Sequence, residues 1–311
     1  MKNLKLDYIK FLYNFWLFRK KQKKNHYISK KSEFINKRFD LLKKKKKLIL
    51  ATQVGRGGGK WLIDIINSID GVYAYGERNK SEESYFRYLR SFNDHSYDSK
   101  MIKIIKSEAI NDWNDNDISY ISSPYFSHGL SILDKKLKPD KIVILIPSFK
   151  HLTRSFKNKN WFDNKNLYIK KTKKIPKDFQ KNPNHFYGRY INLGLDRKKL
   201  YKLSQLEKIS SFITKTLERI YNECKKIEHK KIKIFELEKA DQNYEYCKNF
   251  VKKININLLL SKKKFLKLKY NTSNKYENEK IDINKFEIKW INKNNKKFNF
   301  IKKKFLNKYK N

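Results

Sequence analysis

The chain has 311 residues, of which 39% are hydrophobic and 15% aromatic, so it can bury a sizeable core. This apolar content excludes a wholly disordered chain, despite a formal net charge of +44. Lys, Asn and Ile are used heavily along the whole chain, while Gly and Pro are scarce. The charge therefore indicates a compositional bias more than selection for an anionic partner.

Cysteine content and apolar run length bear on the compartment. Cys224 and Cys247 lie outside any CxxC or Cys/His cluster, which argues against both a metal site and a disulfide framework. The first apolar stretch, residues 11–18, is interrupted by Tyr13 and Asn14 and is too short to span a bilayer. It also lacks a small-residue cleavage site, so we expect a cytoplasmic protein.

Residues 1–46 are predicted to form a basic N-terminal extension that carries a short amphipathic helix. Apolar residues recur there at helical spacing: Tyr8, Phe11, Leu12, Phe15 and Phe18. The helix either docks on the main domain, with Lys43–Lys47 as a solvated charge run, or lies on an anionic membrane surface. We favour docking, and the second alternative would place the protein at the inner face of the membrane.

Residues 47–270 are predicted to form one α/β domain. Strands are predicted at residues 47–52, 72–75, 118–121, 141–146 and 232–235. Helices are predicted at residues 61–69, 82–89, 205–224 and 246–251, and another begins after Pro147. The continuous β-branched run at 141–146 is typical of a parallel strand covered on both faces. The alternation predicts a three-layer fold, with a central parallel sheet flanked by helices.

Residues 271–311 are rich in Lys and Asn but still carry large apolar residues. These are Phe286, Trp290, Phe298, Ile301 and Phe305. The pattern predicts a C-terminal helical extension that packs on the domain rather than a free tail.

A glycine-rich turn follows the first predicted strand and precedes a helix. It consists of Gly55-Arg56-Gly57-Gly58-Gly59-Lys60, and it holds four of the nine glycines in the chain. Backbone N–H groups at such a turn and the following helix N-terminus both favour an anion. Arg56 and Lys60 add charge-assisted donors. The turn is therefore predicted to bind a phosphate group.

Two common phosphate-binding motifs do not fit this turn. The NTPase pattern G-x-x-x-x-G-K-S/T requires glycine at the position of Val54 and a Mg²⁺-binding hydroxyl at that of Trp61. The G-x-G-x-x-G spacing of dinucleotide-binding proteins is absent as well.

The segment Gln53–Leu62 instead resembles the 5′-phosphosulfate loop of sulfotransferases that use 3′-phosphoadenosine-5′-phosphosulfate (PAPS). That loop commonly has the pattern G/P-R/K-S-G-T-T/K-W-L. Arg56 takes the position of the basic residue that touches the sulfuryl group, and the other matching positions are Gly58, Lys60, Trp61 and Leu62. Gly57 and Gly59 stand where the family usually has Ser and Thr. The resemblance implies a P-loop-like fold and a nucleotide site at Gly55–Trp61.

The resemblance also implies a general base. Family members often carry Gly-Glu after the second strand, as in Gly76-Glu77 here, and the glutamate resembles the base that deprotonates the acceptor hydroxyl. Other sulfotransferases use a histidine after the third strand. His128 lies a few residues beyond that place and is the alternative.

A second nucleotide motif is expected after the strongest strand. The family pattern resembles R-D-P-R-D-x-x-x-S, whose Arg and Ser bind the 3′-phosphate. Ser155 matches that serine, but Pro147 takes the place of the first arginine. Lys150 stands at the second basic position, and Lys150 or Arg154 is expected to compensate.

The resemblance implies transfer of a sulfuryl group from PAPS to a hydroxyl of a carbohydrate or small polar acceptor, without a metal. Two alternatives stay open. One is a P-loop nucleotide kinase or NTPase, and the other is a catalytically degenerate protein that binds an anionic ligand or nucleic acid. Since the lysines are spread rather than striped and no nucleic-acid-binding module is visible, no specific nucleic-acid partner is expected.

Overall fold

The computed structural model describes residues 32–56, 58–158, 162, 202–240, 243–256, 260–269 and 285–309. The strands are β1 (Lys47–Gln53), β2 (Val72–Gly76), β3 (Ile118–Ser122), β4 (Lys141–Ile146) and β5 (Ile232–Glu236). The first helices are α1 (Ser32–Lys43), α2 (Gly59–Asn67), α3 (Lys80–Arg90), α4 (Asp98–Asp112), α5 (Leu130–Leu137) and α6 (Phe149–Lys157). They are followed by α7 (Gln205–Cys224), α8 (Leu237–Ala240), α9 (Tyr244–Lys253), α10 (Lys262–Lys269) and α11 (Lys285–Tyr309). The helix predicted near residues 8–18 lies outside these ranges.

The strands form one parallel sheet in the order β2-β3-β1-β4-β5. Leu50 of β1 is in register with Ile121 of β3 and with Ile142 of β4. After β1 the chain crosses to the edge strand β2 and returns to insert β3 beside β1, and it then adds β4 and β5 on the other side of β1. At such a switch point the loops after adjacent strands leave a crevice at the carboxyl edge of the sheet. The predicted three-layer α/β architecture is confirmed.

Both faces of the central strands are covered by helices. Residues of β1 and β4 such as Leu50 and Ile144 have no solvent exposure, as expected for parallel strands with apolar runs. Alternate residues of β1 enter two different core clusters. One cluster includes residues of α2, α9 and α10, and the other includes residues of α1, α4, α5, α6, α7 and α11.

The sequence pattern did not predict helices α4 and α5. In α4, Met101, Ile105 and Ala109 recur every four residues and are fully buried. Lysines separate them, and one of these, Lys106, is itself buried with its Nζ 2.9 Å from Asn36 Oδ1. The lysines therefore interrupt the apolar pattern that would predict a helix, although Lys106 is itself buried.

Helix α1 and the basic run behind it are attached to the domain. Phe39 is buried against Trp113, with ring centroids 5.3 Å apart. Lys43 forms an ion pair with Asp140, and Lys46 Nζ donates to the carbonyl oxygen of Trp113 at 2.7 Å. The prediction of a solvated charge run at Lys43–Lys47 was therefore wrong for these two lysines, because carbonyl and carboxylate acceptors lie at the adjoining end of the sheet.

The C-terminal helix α11 lies against α7. Phe298 and Phe305 are fully buried, and the ring of Phe305 lies 4.9 Å from that of Tyr221. Trp290 Nε1 donates to Ser211 Oγ at 2.8 Å. Across the described ranges, no helix is both long enough and apolar enough to cross a bilayer.

Phe298 and Phe300 give a matched test of this packing. Phe298 is fully buried beside Phe149, whereas Phe300 is 58% exposed. We expect Phe298→Ala to lower the free energy of unfolding by about 3–5 kcal/mol because it leaves a cavity. Phe300→Ala should change it by less than about 0.5 kcal/mol. Urea unfolding of both variants measures the difference, and equal losses would contradict the docking of α11.

Candidate active site

The loops that follow the strands meet at the carboxyl edge of the sheet. Ser123 N donates to the carbonyl oxygen of Ala51 at 3.0 Å, which ties the loop after β3 to β1. Glu77 N donates to the carbonyl oxygen of Ser122 at 3.1 Å, which ties the loop after β2 to β3. The segments that carry the predicted site residues therefore share one rim.

The turn after β1 has backbone conformations that favour glycine. The φ angle is 103° at Gly55, 55° at Arg56 and 80° at Gly58. A Cβ on Gly58 would also lie 2.6 Å from Leu237 Cδ1. Gly58 is thus favoured by its left-handed backbone, and the Leu237 side chain after β5 packs close to it. Gly57, the other predicted contact, lies outside the described residues.

The N-terminus of α2 differs from that of α6. Gly58 caps α2 without a side-chain hydrogen bond, and the first turn of α2 carries no acidic residue. At α6, Ser148 Oγ accepts from His151 N, and Ser148 N donates to the carboxylate of Glu238. Because helix N-termini leave backbone donors unsatisfied, α2 is the one of these two that can accept an external anion.

Arg56 and Ser155, predicted from two separate motifs, are in direct contact. Arg56 Nε donates to Ser155 Oγ at 3.1 Å. A Cβ on Gly55 would lie 3.4 Å from Phe156 Cζ, so the start of the turn packs against α6. The guanidinium group is thereby held where the turn after β1 meets the helix after β4.

Gln53 occupies the space in which a side chain at position 59 would begin. A Cβ on Gly59 would lie 2.2 Å from Gln53 Nε2. Gln53 is 7% exposed, and its Oε1 has no hydrogen-bond partner in the described part of the chain. Gly59 lacks the hydroxyl side chain that the sulfotransferase pattern has at this position. The buried amide of Gln53 fills the space that such a side chain would take. Gln53 was not predicted as a site residue, since only the conformation of the turn brings its side chain beside Gly59.

The remaining predicted nucleotide ligands have different environments. Lys60 is exposed in the first turn of α2. Trp61 is buried, and its indole lies 6.2 Å from the rings of Phe235 and Phe265. Trp61 thus anchors α2 in the core. Lys150, exposed, and Arg154, partly buried, are four residues apart on α6 and share a helix face. Pro147 is buried directly after β4.

Glu77 lies at the rim, directly after edge strand β2. It has a φ of 49°, and its carboxylate is 3.7 Å from Lys80 Nζ. A Cβ on Gly76 would lie 2.8 Å from Ile63 Cδ1, so the end of β2 packs on α2. Since only β3 separates β2 from β1, the two strand ends are about 10 Å apart.

His128, the alternative base, is buried in the 3₁₀ turn Pro124–His128 that follows β3. Its Nδ1 is 3.0 Å from Ser127 Oγ. At 3% exposure the imidazole is part of the protein interior, whereas the Glu77 side chain is 28% exposed. Of the two, Glu77 is more accessible to a substrate hydroxyl.

Helix α3 brings two buried titratable side chains to this rim that the sequence pattern did not predict. Glu83 accepts from Ser123 Oγ at 2.6 Å and from Asn79 N at 3.1 Å. Burial, above all, and the neighbouring Glu108 raise the pKa of Glu83 to about 8. Burial lowers the pKa of Arg87 to about 10. The four-residue spacing of Glu83 and Arg87 was the available signal, but it equally suits an exposed helical ion pair.

The loop between β2 and α3 is fixed by a second group of charges. Tyr75 OH donates to Glu108 at 2.8 Å, and Arg78 pairs with Asp112 at 3.0 Å. The Arg78 guanidinium also lies 3.5 Å from the centre of the Tyr75 ring. Burial raises the pKa of Glu108 to about 7. Glu77 is therefore carried on a loop whose next residue is anchored to α4.

Comparison with protein-family models gives no matching family, and comparison with curated proteins gives no significant match.

Among the described residues, no group of three or more His, Cys, Asp or Glu side chains is arranged to hold a metal ion.

The raised pKa of Glu83 gives a test by pH. The native state binds more protons at this site than the unfolded state between about pH 4.5 and 8. The free energy of unfolding should therefore fall as pH rises through this window. Glu83→Gln should make this loss of stability with rising pH smaller. Part of the loss should remain, because the pKa of Glu108 is raised to about 7.

The matched control is Glu33→Gln on the surface of α1, where the side chain is 82% exposed. It should keep the pH dependence of the parent chain. Chemical unfolding at a series of pH values measures both variants. An unchanged slope in Glu83→Gln would mean that Glu83 ionises normally in the folded protein.

Proposed function

We propose that the protein is a sulfotransferase that moves a sulfuryl group from PAPS to a hydroxyl of a carbohydrate or small polar acceptor. The observation that carries the proposal is the Arg56–Ser155 hydrogen bond. The resemblance assigns Arg56 to the 5′-phosphosulfate loop and Ser155 to the 3′-phosphate motif. These residues are 99 positions apart, and a single nucleotide needs both motifs at one place.

The side chains at the rim offer donors for both the 5′ end and the 3′-phosphate of this nucleotide. The open N-terminus of α2, with Arg56 and Lys60, offers donors for the 5′ end, and the Gln53 amide stands in for one missing hydroxyl. On α6, Ser155 with Lys150 and Arg154 would hold the 3′-phosphate in the absence of an arginine at Pro147. PAPS bound there would supply the sulfuryl group.

The protein's own residues would then perform two tasks. Arg56 and Lys60 balance negative charge on the oxygens next to the turn, which is the largest contribution such a site usually makes. Glu77 accepts the proton of the acceptor hydroxyl. It is preferred over His128 because its carboxylate is partly exposed at the rim.

A kinase or NTPase function has less support. Its motif needs a hydroxyl after the lysine to bind Mg²⁺, and Trp61 at this position turns its indole into the core. The net charge alone favours no particular class of nucleotide.

Calorimetry with three ligands tests the proposal. We expect 3′-phosphoadenosine-5′-phosphate to bind, and ATP with Mg²⁺ or a random oligonucleotide to bind more weakly. Arg56→Ala should weaken bisphosphate binding by roughly 10- to 100-fold, since it removes a charge-assisted donor. The control is Arg38→Ala, an exposed arginine on α1, which should leave affinity unchanged. If ATP binds and the bisphosphate does not up to millimolar concentration, the proposal is wrong.

A double-mutant cycle tests the contact that carries the proposal. Because Arg56 and Ser155 share a hydrogen bond, Arg56→Ala and Ser155→Ala should be non-additive in bisphosphate affinity. We expect the double variant to lose less than the sum of the single losses, by about 0.5–1.5 kcal/mol. Strictly additive losses would show that the two residues act on the ligand independently.

A further inference from the structure

Arg87 is a buried cation that lacks the usual compensation. Its side chain is 2% exposed, and its Nε and Nη2 have no hydrogen-bond partner within the described ranges. Buried guanidinium groups are normally paired with a carboxylate or saturated with acceptors, because desolvation of the charge is costly. Nearby Glu77 instead has its carboxylate 3.7 Å from Lys80. Acceptors for two of the three guanidinium nitrogens of Arg87 are thus missing from its described surroundings.

The surroundings of Arg87 supply further donors and an aromatic face. The guanidinium carbon lies 4.7 Å from the centre of the Tyr125 ring, which favours a cation but accepts no strong hydrogen bond. Ser84, one helical turn earlier on α3, is fully buried, and its Oγ also lacks a hydrogen-bond partner among the described residues. A guanidinium and a hydroxyl on the same helical face both require an acceptor.

Arg87 and Ser155 are connected to the turn through different strands. A Cβ on Gly55 would contact Phe156 of α6 at 3.4 Å and Pro124 at 4.0 Å. Pro124 is followed by Tyr125, which carries the aromatic face under Arg87. The proposed nucleotide contacts on α6 therefore follow β4, whereas Arg87 lies against the loop that follows β3, and these two strands lie on opposite sides of β1.

We propose that Arg87, with Ser84, binds a carboxylate, sulfate or phosphate group carried by the acceptor. The acceptor is then an anionic hydroxyl compound, such as an acidic sugar. This inference deepens the proposed sulfotransferase function and rests on it. A neutral hydroxyl would leave the buried charge uncompensated, whereas an oxyanion matches the guanidinium donors and supplies the missing charge.

The experiment observes the arginine Nε–H signals of the ¹⁵N-arginine-labelled chain by NMR while sodium sulfate or sodium acetate is added. The Arg87 signal is assigned by its loss in Arg87→Lys, whose other arginine signals show that the fold is kept. We expect it to shift saturably with at least one anion and not with chloride at equal ionic strength. A response to acetate alone indicates a carboxylate group, and a response to sulfate indicates a sulfate or phosphate group.

Two variants and an internal control make the result specific. Arg90, on the same helix, has its Nε 3.1 Å from Asp98 and should not respond. Ser84→Ala should weaken the Arg87 response by roughly 3- to 10-fold, the value of one hydrogen bond. Arg56→Ala should leave the response intact, because the two anion sites are separate. No shift at Arg87 with either anion would overturn the inference.

Titration of the same sample with 3′-phosphoadenosine-5′-phosphate separates this inference from the proposed function. If the bisphosphate binds and Arg87 responds to neither anion, the nucleotide assignment stands and the acceptor assignment fails. If Arg87 responds and the bisphosphate does not bind, the sulfotransferase proposal fails and the acceptor assignment fails with it.

Discussion

Strand β1 is hydrogen-bonded to β3 on one side and to β4 on the other, and this central position determines what can surround the turn after it. The loops after both neighbours must run beside that turn, because all three strands point the same way. Pro124 consequently approaches Gly55 from the β3 side and Phe156 from the β4 side. The proposed nucleotide site depends on this arrangement, in which a basic turn lies between the loop after β3 and helix α6 and is followed by a helix without a side-chain N-cap.

The fold was largely predictable because its central strands are local, continuous apolar runs. The strand at 141–146 was predicted with the bounds that the structure gives, and the long helix at 205–224 likewise. Helix α4 was missed for a physical reason. Its lysines interrupt the apolar stripe, and Lys106 is accommodated only because Asn36 and the ring of Phe39, far away in sequence, lie beside it.

The candidate site was predictable only where one short segment contained the signal. A cluster of glycines predicted the turn, because the positive φ angles of the turn favour glycine at those positions in the sequence. Glu83 and Arg87 gave no comparable signal, because their importance comes from burial against Ser123 and Tyr125, which are some forty residues away. Gln53 belongs to the same short segment, yet its position beside Gly59 depends on how the turn packs.

The carboxylate of Glu238 lies at the N-terminus of α6, and Lys302 of the C-terminal helix lies 3.4 Å from it. A negative charge beside a phosphate site would repel the nucleotide, and Lys302 reduces that repulsion. If the nucleotide binds as proposed, docking of α11 and nucleotide binding would be thermodynamically linked, because Lys302 reduces the negative charge of Glu238 only when α11 is docked. By reciprocity, a nucleotide on α6 would strengthen the attachment of the C-terminal helix to the same degree that the helix strengthens binding.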